Sequence, residues 1–121
     1  MKAYMIVFLL TLPMAIFSQT QTEMNAQAAK DYAKADKELN TVYQQVLKKY
    51  AKDPLFVKHM KGAQLAWINF RDAEFKRAFP KFMDGQVEYG TMFSLERSTF
   101  MEEMTEQRTI TLKKILKDGP R

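Results

Sequence analysis

The sequence predicts an all-α protein, an up-down-up three-helix bundle after an N-terminal signal peptide. Three observations lead there. Three long segments repeat apolar residues at three- and four-residue steps. Gly and Pro number only 4 each, too few for a many-turned sandwich or barrel. No stretch alternates apolar and polar residues for long enough to make a convincing strand. With 46% hydrophobic and 27% charged residues in 121, the proportions are globular and exclude wholesale disorder.

The N-terminus comes first. Lys2 is the only charge before Glu23, and residues 4–17 form an apolar run broken by Thr11 and Pro13. Ser18 is a small residue at a plausible cleavage point, followed by polar Gln19, Thr20, Gln21 and Thr22. That is the order of a secretory signal peptide. The competing reading is an uncleaved anchor, but the run is shorter than the ~20 residues a bilayer requires. Residues 1–18 are therefore expected to be a signal peptide and residues 19–121 a single mature domain without a transmembrane helix. The expected location is periplasmic or secreted. No Cys follows the apolar run, so the protein is not expected to be a lipoprotein.

The first helix is expected over residues 24–50, where Tyr32, Ala35, Leu39, Val42, Tyr43, Val46 and Tyr50 recur on one stripe. Asp53-Pro54 is a helix-start signal, because Asp caps free N–H groups and Pro fits the first helical position. The second helix is expected over residues 54–78, with Phe56, Met60, Ala63, Trp67, Phe70 and Glu74 along one line and Pro80 as its stop. The short link at residues 49–53 makes these two helices antiparallel neighbours. Residues 80–90 hold Pro80, Asp84, Gly85 and Gly90 and read as a loop. Thr91 is the expected cap of a third helix reaching Lys117, with Met92, Leu95, Phe100, Met104, Leu112, Ile115 and Leu116 on its apolar side and Gly119-Pro120 beyond it.

The same residues exclude several chemistries. Without Cys there is no disulfide, thiolate metal site or cysteine nucleophile. A single His excludes a multi-His metal site, and His59 stands alone among Lys58 and Lys61. Ser94 and Ser98 have no base at a helical offset. Glu102, Glu103 and Glu106 read as a solvated face rather than an acid–base pair, which needs two different environments. No catalytic residue, cofactor or metal is expected. Export, and lysines without interleaved aromatics, argue against nucleic acid as a partner.

Three clusters stand out. Gln64, Trp67 and Arg71 share a helix face, and Arg71 follows Trp67 by one turn, so its guanidinium can stack on the indole. The structural reading buries the Trp and pairs Arg71 with a carboxylate from another helix. Asp36, Asn40 and Tyr43 lie along one face of the first helix. Asp36 is the candidate partner for Arg71 or Arg108, and Asn40 for a polar group at the interface. The third cluster runs from Phe100 to Arg108 and includes Met104 and Thr105.

In this order the clusters resemble the small secreted helical domain of the lysozyme inhibitor LprI family. The resemblance rests on Asp36, Leu39, Asn40 and Tyr43, then on Gln64, Trp67, Phe70, Arg71, Asp72, Ala73 and Glu74, then on Gly90-Thr91-Met92, and last on Met104, Thr105 and Arg108. The run from Gln64 to Glu74 is its specific part. The family pattern places Cys about where Gln27, Phe75 and Phe100 stand here. Burial of a Phe side chain is worth about 1.5–3 kcal/mol. A disulfide is worth about 2–4 kcal/mol, so apolar contact is a plausible replacement.

The resemblance implies a lysozyme as partner. Residues 80–90 are the one segment long enough to project from a small bundle, so this loop is expected to enter a glycosidase cleft, with Lys81, Asp84, Gly85 and Gly90 as candidate contacts. Charge suggests a second class of function. An up-down-up bundle gathers Lys48, Lys49, Lys52, Lys58, Lys61, Lys113, Lys114 and Lys117 at one pole, on a chain of formal net charge +5. Cations beside helix C-termini are ordinary, but Lys58 and Lys61 sit at an N-terminal end. Such a pole suits an anionic cell-envelope surface or polymer.

Overall fold

The computed structural model describes residues 14–83 and 92–121, with side chains from Thr20 to Phe82 and from Met92 onward. The chain folds as α1 (Met14–Lys49), α2 (Pro54–Ala78), the single turn α3 (Pro80–Met83) and α4 (Phe93–Asp118). No strand occurs among the described residues. The protein is all-α, as the periodicity predicts.

α1 is longer than expected. It has 36 residues, which is about 54 Å at 1.5 Å per residue. Between Pro13 and Pro54 there is no Gly or Pro, so nothing in the chain interrupts the helix. The apolar stripe begins only near Ala28, and the helix runs ahead of it. α1 therefore passes through the Ser18 cleavage point expected for the signal peptide.

The ends of α2 fall where local chemistry puts them. Asp53 Oδ1 accepts a 3.0 Å hydrogen bond from Phe56 N–H, and Pro54 opens the first turn. Phe79 N–H donates to Phe75 O and closes the helix before Pro80. Pro80 then starts the turn α3, so the first part of the loop expected at residues 80–90 is helical. Asp84, Gly85, Gly90 and Thr91 lie outside the described residues. The N-cap of α4 is Met92, with no side-chain hydrogen bond, instead of the expected Thr91.

Gly119 ends α4 with φ +71°, and its N–H donates to Ile115 O at 2.8 Å. A Cβ at this position would lie 2.8 Å from Tyr50 Oη. Glycine is required here twice over, by the left-handed backbone and by the Tyr50 ring. Tyr50 Oη donates to Leu116 O at 2.9 Å, and Lys49 Nζ donates to the same carbonyl at 2.7 Å. The Leu116 carbonyl, one of those left free at the end of α4, is thus satisfied by residues at the end of α1.

These contacts define the topology. Glu38 meets Lys113, and Lys49 meets Leu116, so α1 and α4 run parallel. Gln64 meets Arg108 and Phe79 meets Phe93, so α2 runs antiparallel to α4. α1 and α4 approach each other most closely. Small side chains allow this, because Ala28 and Ala35 are buried on α1 and Thr105 and Thr109 on α4. α2 brings the larger Phe56, Met60 and Trp67 to the core.

The core consists of Leu39, Val42, Val46, Met60 and Leu112, with Tyr43, Leu47, Tyr50, Phe56, Trp67, Ile115 and Leu116 packed around it. At the other end, Phe75, Phe79, Phe82, Phe93 and Phe100 form an aromatic cluster with ring centroids 4.9–6.5 Å apart. The apolar line expected on α2 is displaced. Phe70 is 56% exposed, Ala63 is exposed, and the polar Gln64 is 5% exposed. Apolar residues occur all round α2, so its own sequence does not select one face. The neighbouring helices do.

Candidate functional site

The conspicuous sequence cluster forms a belt around the middle of the bundle. Gln64 is buried and its Oε1 accepts a 3.0 Å hydrogen bond from Arg108 Nε on α4. Burial lowers the affinity of the Arg108 guanidinium for its proton, and its Nη2 is buried with no hydrogen-bond partner among the described residues. One turn on, Trp67 packs half-buried against the core, and the Arg71 guanidinium lies 5.4 Å from the centre of its ring. The expected stacking is present. The expected cross-helix carboxylate is not, because Arg71 pairs with its neighbour Asp72 at 3.0 Å. Glu74 pairs with Arg77, whose hydrogen bond holds the Glu74 carboxyl below its ordinary value.

Asp36 therefore pairs with neither Arg71 nor Arg108. It is half-buried, and Asn40 is exposed rather than at an interface. Both line an open groove along the solvent side of α1, together with Lys37, Thr41, Gln44 and Lys48. Leu39 and Tyr43, from the same cluster, turn the other way into the core. Thr105 is fully buried between the helices. The cluster is thus split by the helix itself, with two members packed and two facing water.

The cleft between α1 and α4 is acidic. Asp31, Lys34, Glu38, Glu102 and Glu106 line a space of about 210 Å³. Burial raises the Glu102 carboxyl above its ordinary value, with the neighbouring Glu106 and Asp31 adding to the effect. Glu102 is accordingly half-buried and not part of a fully solvated face. Glu38 is held below its ordinary value by the 2.7 Å hydrogen bond from Lys113.

All eight lysines of the expected pole are exposed and lie at the end where α1 and α4 stop and α2 starts. Two are engaged, Lys49 by the Leu116 carbonyl and Lys113 by Glu38. Lys48, Lys52, Lys58, Lys61, Lys114 and Lys117 hold no ion pair among the described residues. His59 is exposed beside them.

The opposite end holds the aromatic cluster. Phe75 and Phe100, at two of the positions where the family resemblance implies Cys, are 6.2 Å apart between ring centroids. Gln27, at the third, is exposed and donates to Asp31. Lys81 is exposed on α3. Beside the cluster, Phe79, Leu95, Thr99 and Phe100 line an open, mostly apolar groove of about 390 Å³, rimmed by Glu96 and Glu103. Sequence periodicity identified Leu95 and Phe100 as apolar and nothing more. The groove arises because the end of α2 comes back against the start of α4, a long-range placement with no local signal.

Among the described residues, no group of His, Asp or Glu is arranged to hold a metal ion. No helix among them is long and apolar enough to cross a membrane. Against known proteins, the family model described as lysozyme inhibitor LprI matches residues 15–112. No curated protein and no solved structure matches the chain.

Proposed function

The chain belongs to the lysozyme inhibitor LprI family, and from that membership we propose that it is an exported, non-catalytic binding protein that blocks the cleft of a lysozyme. The family match across residues 15–112 carries this reading. The end of the bundle formed by α3, the start of α4 and the residues between them is the contact end. Lys81 stands exposed on α3 there, and a glycosidase cleft holds two carboxylates that favour a cation. Asp84, Gly85 and Gly90 are further contact candidates. The helices serve as a rigid scaffold for this end. Export by cleavage near Ser18 belongs to the same proposal, and the enzyme is then met in the periplasm or outside the cell.

A turbidity assay with residues 19–121 tests this reading. Lysis of a cell-wall suspension by a lysozyme should slow in proportion to added protein. Replacing residues 80–90 with a tight turn should remove the effect while the helical spectrum stays intact. Unaltered lysis across c-type, g-type and i-type enzymes would overturn it.

A second reading is favoured by the six lysines of the pole that hold no ion pair among the described residues. They make the opposite pole suited to an anionic envelope surface or polymer. Reversing Lys114 and Lys117 to Glu should weaken binding to anionic vesicles and leave lysozyme inhibition unchanged. Equal vesicle binding by the variant would remove this reading.

A further inference from the structure

We infer that the groove beside the aromatic cluster is a docking surface for a cationic protein segment that inserts an apolar side chain. Its walls are Phe79, Leu95, Thr99 and Phe100, and its volume of about 390 Å³ accommodates a large apolar side chain. Its rim carries Glu96 and Glu103, both exposed and without an ion pair among the described residues. Arg97 does not neutralise them, since its guanidinium lies over the Phe75 ring at 5.8 Å, on the side facing α2.

Charge complementarity identifies the occupant. The chain as a whole is basic, at +5, yet α4 from Phe93 to Glu106 carries Glu96, Glu102, Glu103 and Glu106 against Arg97 alone. The rest of α4 carries Arg108, Lys113, Lys114 and Lys117 against Asp118 alone. Lys76 and Lys81 also stand exposed at this end, so the attraction for a cationic partner is local to the rim at Glu96 and Glu103, while the lysine pole repels the same partner. The apolar floor then gives the contact its hold, as buried apolar anchors do at interfaces. A second copy of this chain fits less well. It would have to bring its lysine pole to the groove, head to tail, which builds an open string of copies rather than a closed dimer.

The inference deepens the lysozyme reading by naming the surface that a basic enzyme would meet, and rests on that reading only for the partner's identity. The groove's own chemistry is tested with a synthetic peptide. The purified protein is titrated with a blocked peptide of alternating Leu and Lys, with its Leu→Ser form, and with its Lys→Glu form, at low and high salt.

Binding is expected for the Leu–Lys peptide alone, weakening with salt. The double variant Glu96→Lys/Glu103→Lys should bind at least tenfold more weakly with an unchanged helical spectrum. Lys114→Glu/Lys117→Glu should bind equally or more tightly. Undiminished binding by the Glu96/Glu103 variant, or equal binding of the Leu→Ser peptide, overturns the inference. So does self-association of the wild type that the same variant abolishes, which would assign the groove to a second copy. Lysozyme inhibition is read in parallel. A protein that binds the peptide as described but inhibits no lysozyme refutes the lysozyme reading and leaves the groove standing. Inhibition retained in full by the Glu96/Glu103 variant refutes the groove as the enzyme contact and leaves the lysozyme reading standing.

Discussion

Gln64 Oε1 accepts a hydrogen bond from Arg108 Nε at 3.0 Å, joining the middle of α2 to the middle of α4. The pair replaces an apolar contact at the level of the core with a directional one. It constrains the register of two helices whose apolar residues are spread around their circumference. Arg108 is half-buried and its Nη2 has no partner among the described residues, so Gln64 is what compensates the desolvated guanidinium.

Gln64→Ala should therefore cost about 1–3 kcal/mol, the usual penalty for leaving a buried polar group unmet. Gln64→Glu should retain the bond and recover much of the loss. Chemical denaturation of the three proteins checks this. An Ala variant as stable as wild type would show the bond to be idle.

Trp67 should prove structural. It packs against the core cluster while remaining partly exposed. Trp67→Ala is expected to cost about 2–3 kcal/mol, below the ~3–5 kcal/mol of a fully buried large aromatic. Arg71→Ala loses a stacked cation worth about 0.5–2 kcal/mol and a local pair with Asp72, with no cross-helix bridge to break. Loss of partner binding by a Trp67→Ala protein of unchanged stability would reassign this face as a contact surface.

Phe75 and Phe100 should be energetically coupled. Their ring centroids are 6.2 Å apart within the aromatic cluster. A double-mutant cycle to Leu is expected to yield a coupling of about 0.5–1.5 kcal/mol. Additive single effects would mean that the cluster is held by its other rings.

Gly119→Ala should destabilise the pole where α1 and α4 end. The new methyl needs a left-handed backbone and meets Tyr50 Oη at 2.8 Å. A cost of about 1–3 kcal/mol is expected from the backbone alone, since φ +71° with ψ −166° is a conformation almost restricted to glycine. Further loss should follow as the Tyr50–Leu116 bond is displaced. Thermal melts of Gly119→Ala and Tyr50→Phe separate the two contributions.

Glu102 should make stability depend on pH. Its folded-state carboxyl is raised by burial and by the carboxylates around it, so the folded protein holds that proton more tightly than the unfolded chain does. Stability from this residue is complete below the ordinary Glu value and declines as pH rises through the raised one. Glu102→Gln should therefore be more stable than wild type at neutral pH, with the advantage vanishing at low pH. Glu38 has the opposite sign. Its lowered carboxyl contributes stability above the ordinary Glu value that is lost as pH falls through the lowered one. A Glu102→Gln advantage equal at pH 3 and pH 7 would contradict the assignment.

The helix ends show what was legible in the sequence. Asp53-Pro54, Pro80 and Gly119-Pro120 act through groups within a turn of themselves, so their spacing alone located both ends of α2 and the end of α4. The start of α1 was not legible in the same way. The buried apolar stripe begins only at Ala28, and the absence of Gly and Pro between Pro13 and Pro54 lets the helix run from Met14. The family cluster from Gln64 to Glu74 was recognisable by residue type and order. Its pairing was not, because Asp36, Asp72 and Gln64 all offered oxygen acceptors to an arginine.

The sequence by itself determined the all-α class, the short antiparallel link at residues 49–53, the gathering of lysines at one pole and the family to which the chain belongs. All of these follow from local chemistry, period or order along the chain. Only the tertiary structure decided that Gln64 rather than Ala63 faces the core, that Arg108 takes Gln64 while Arg71 takes Asp72, and that Phe79 and Leu95 share a groove. Each of those outcomes depends on which helix faces stand opposite one another. α2 and α4 carry apolar residues on several sides, so many pairings satisfy the pattern. The close approach of α1 to α4 over Ala28, Ala35, Thr105 and Thr109 selects one of them by volume and shape.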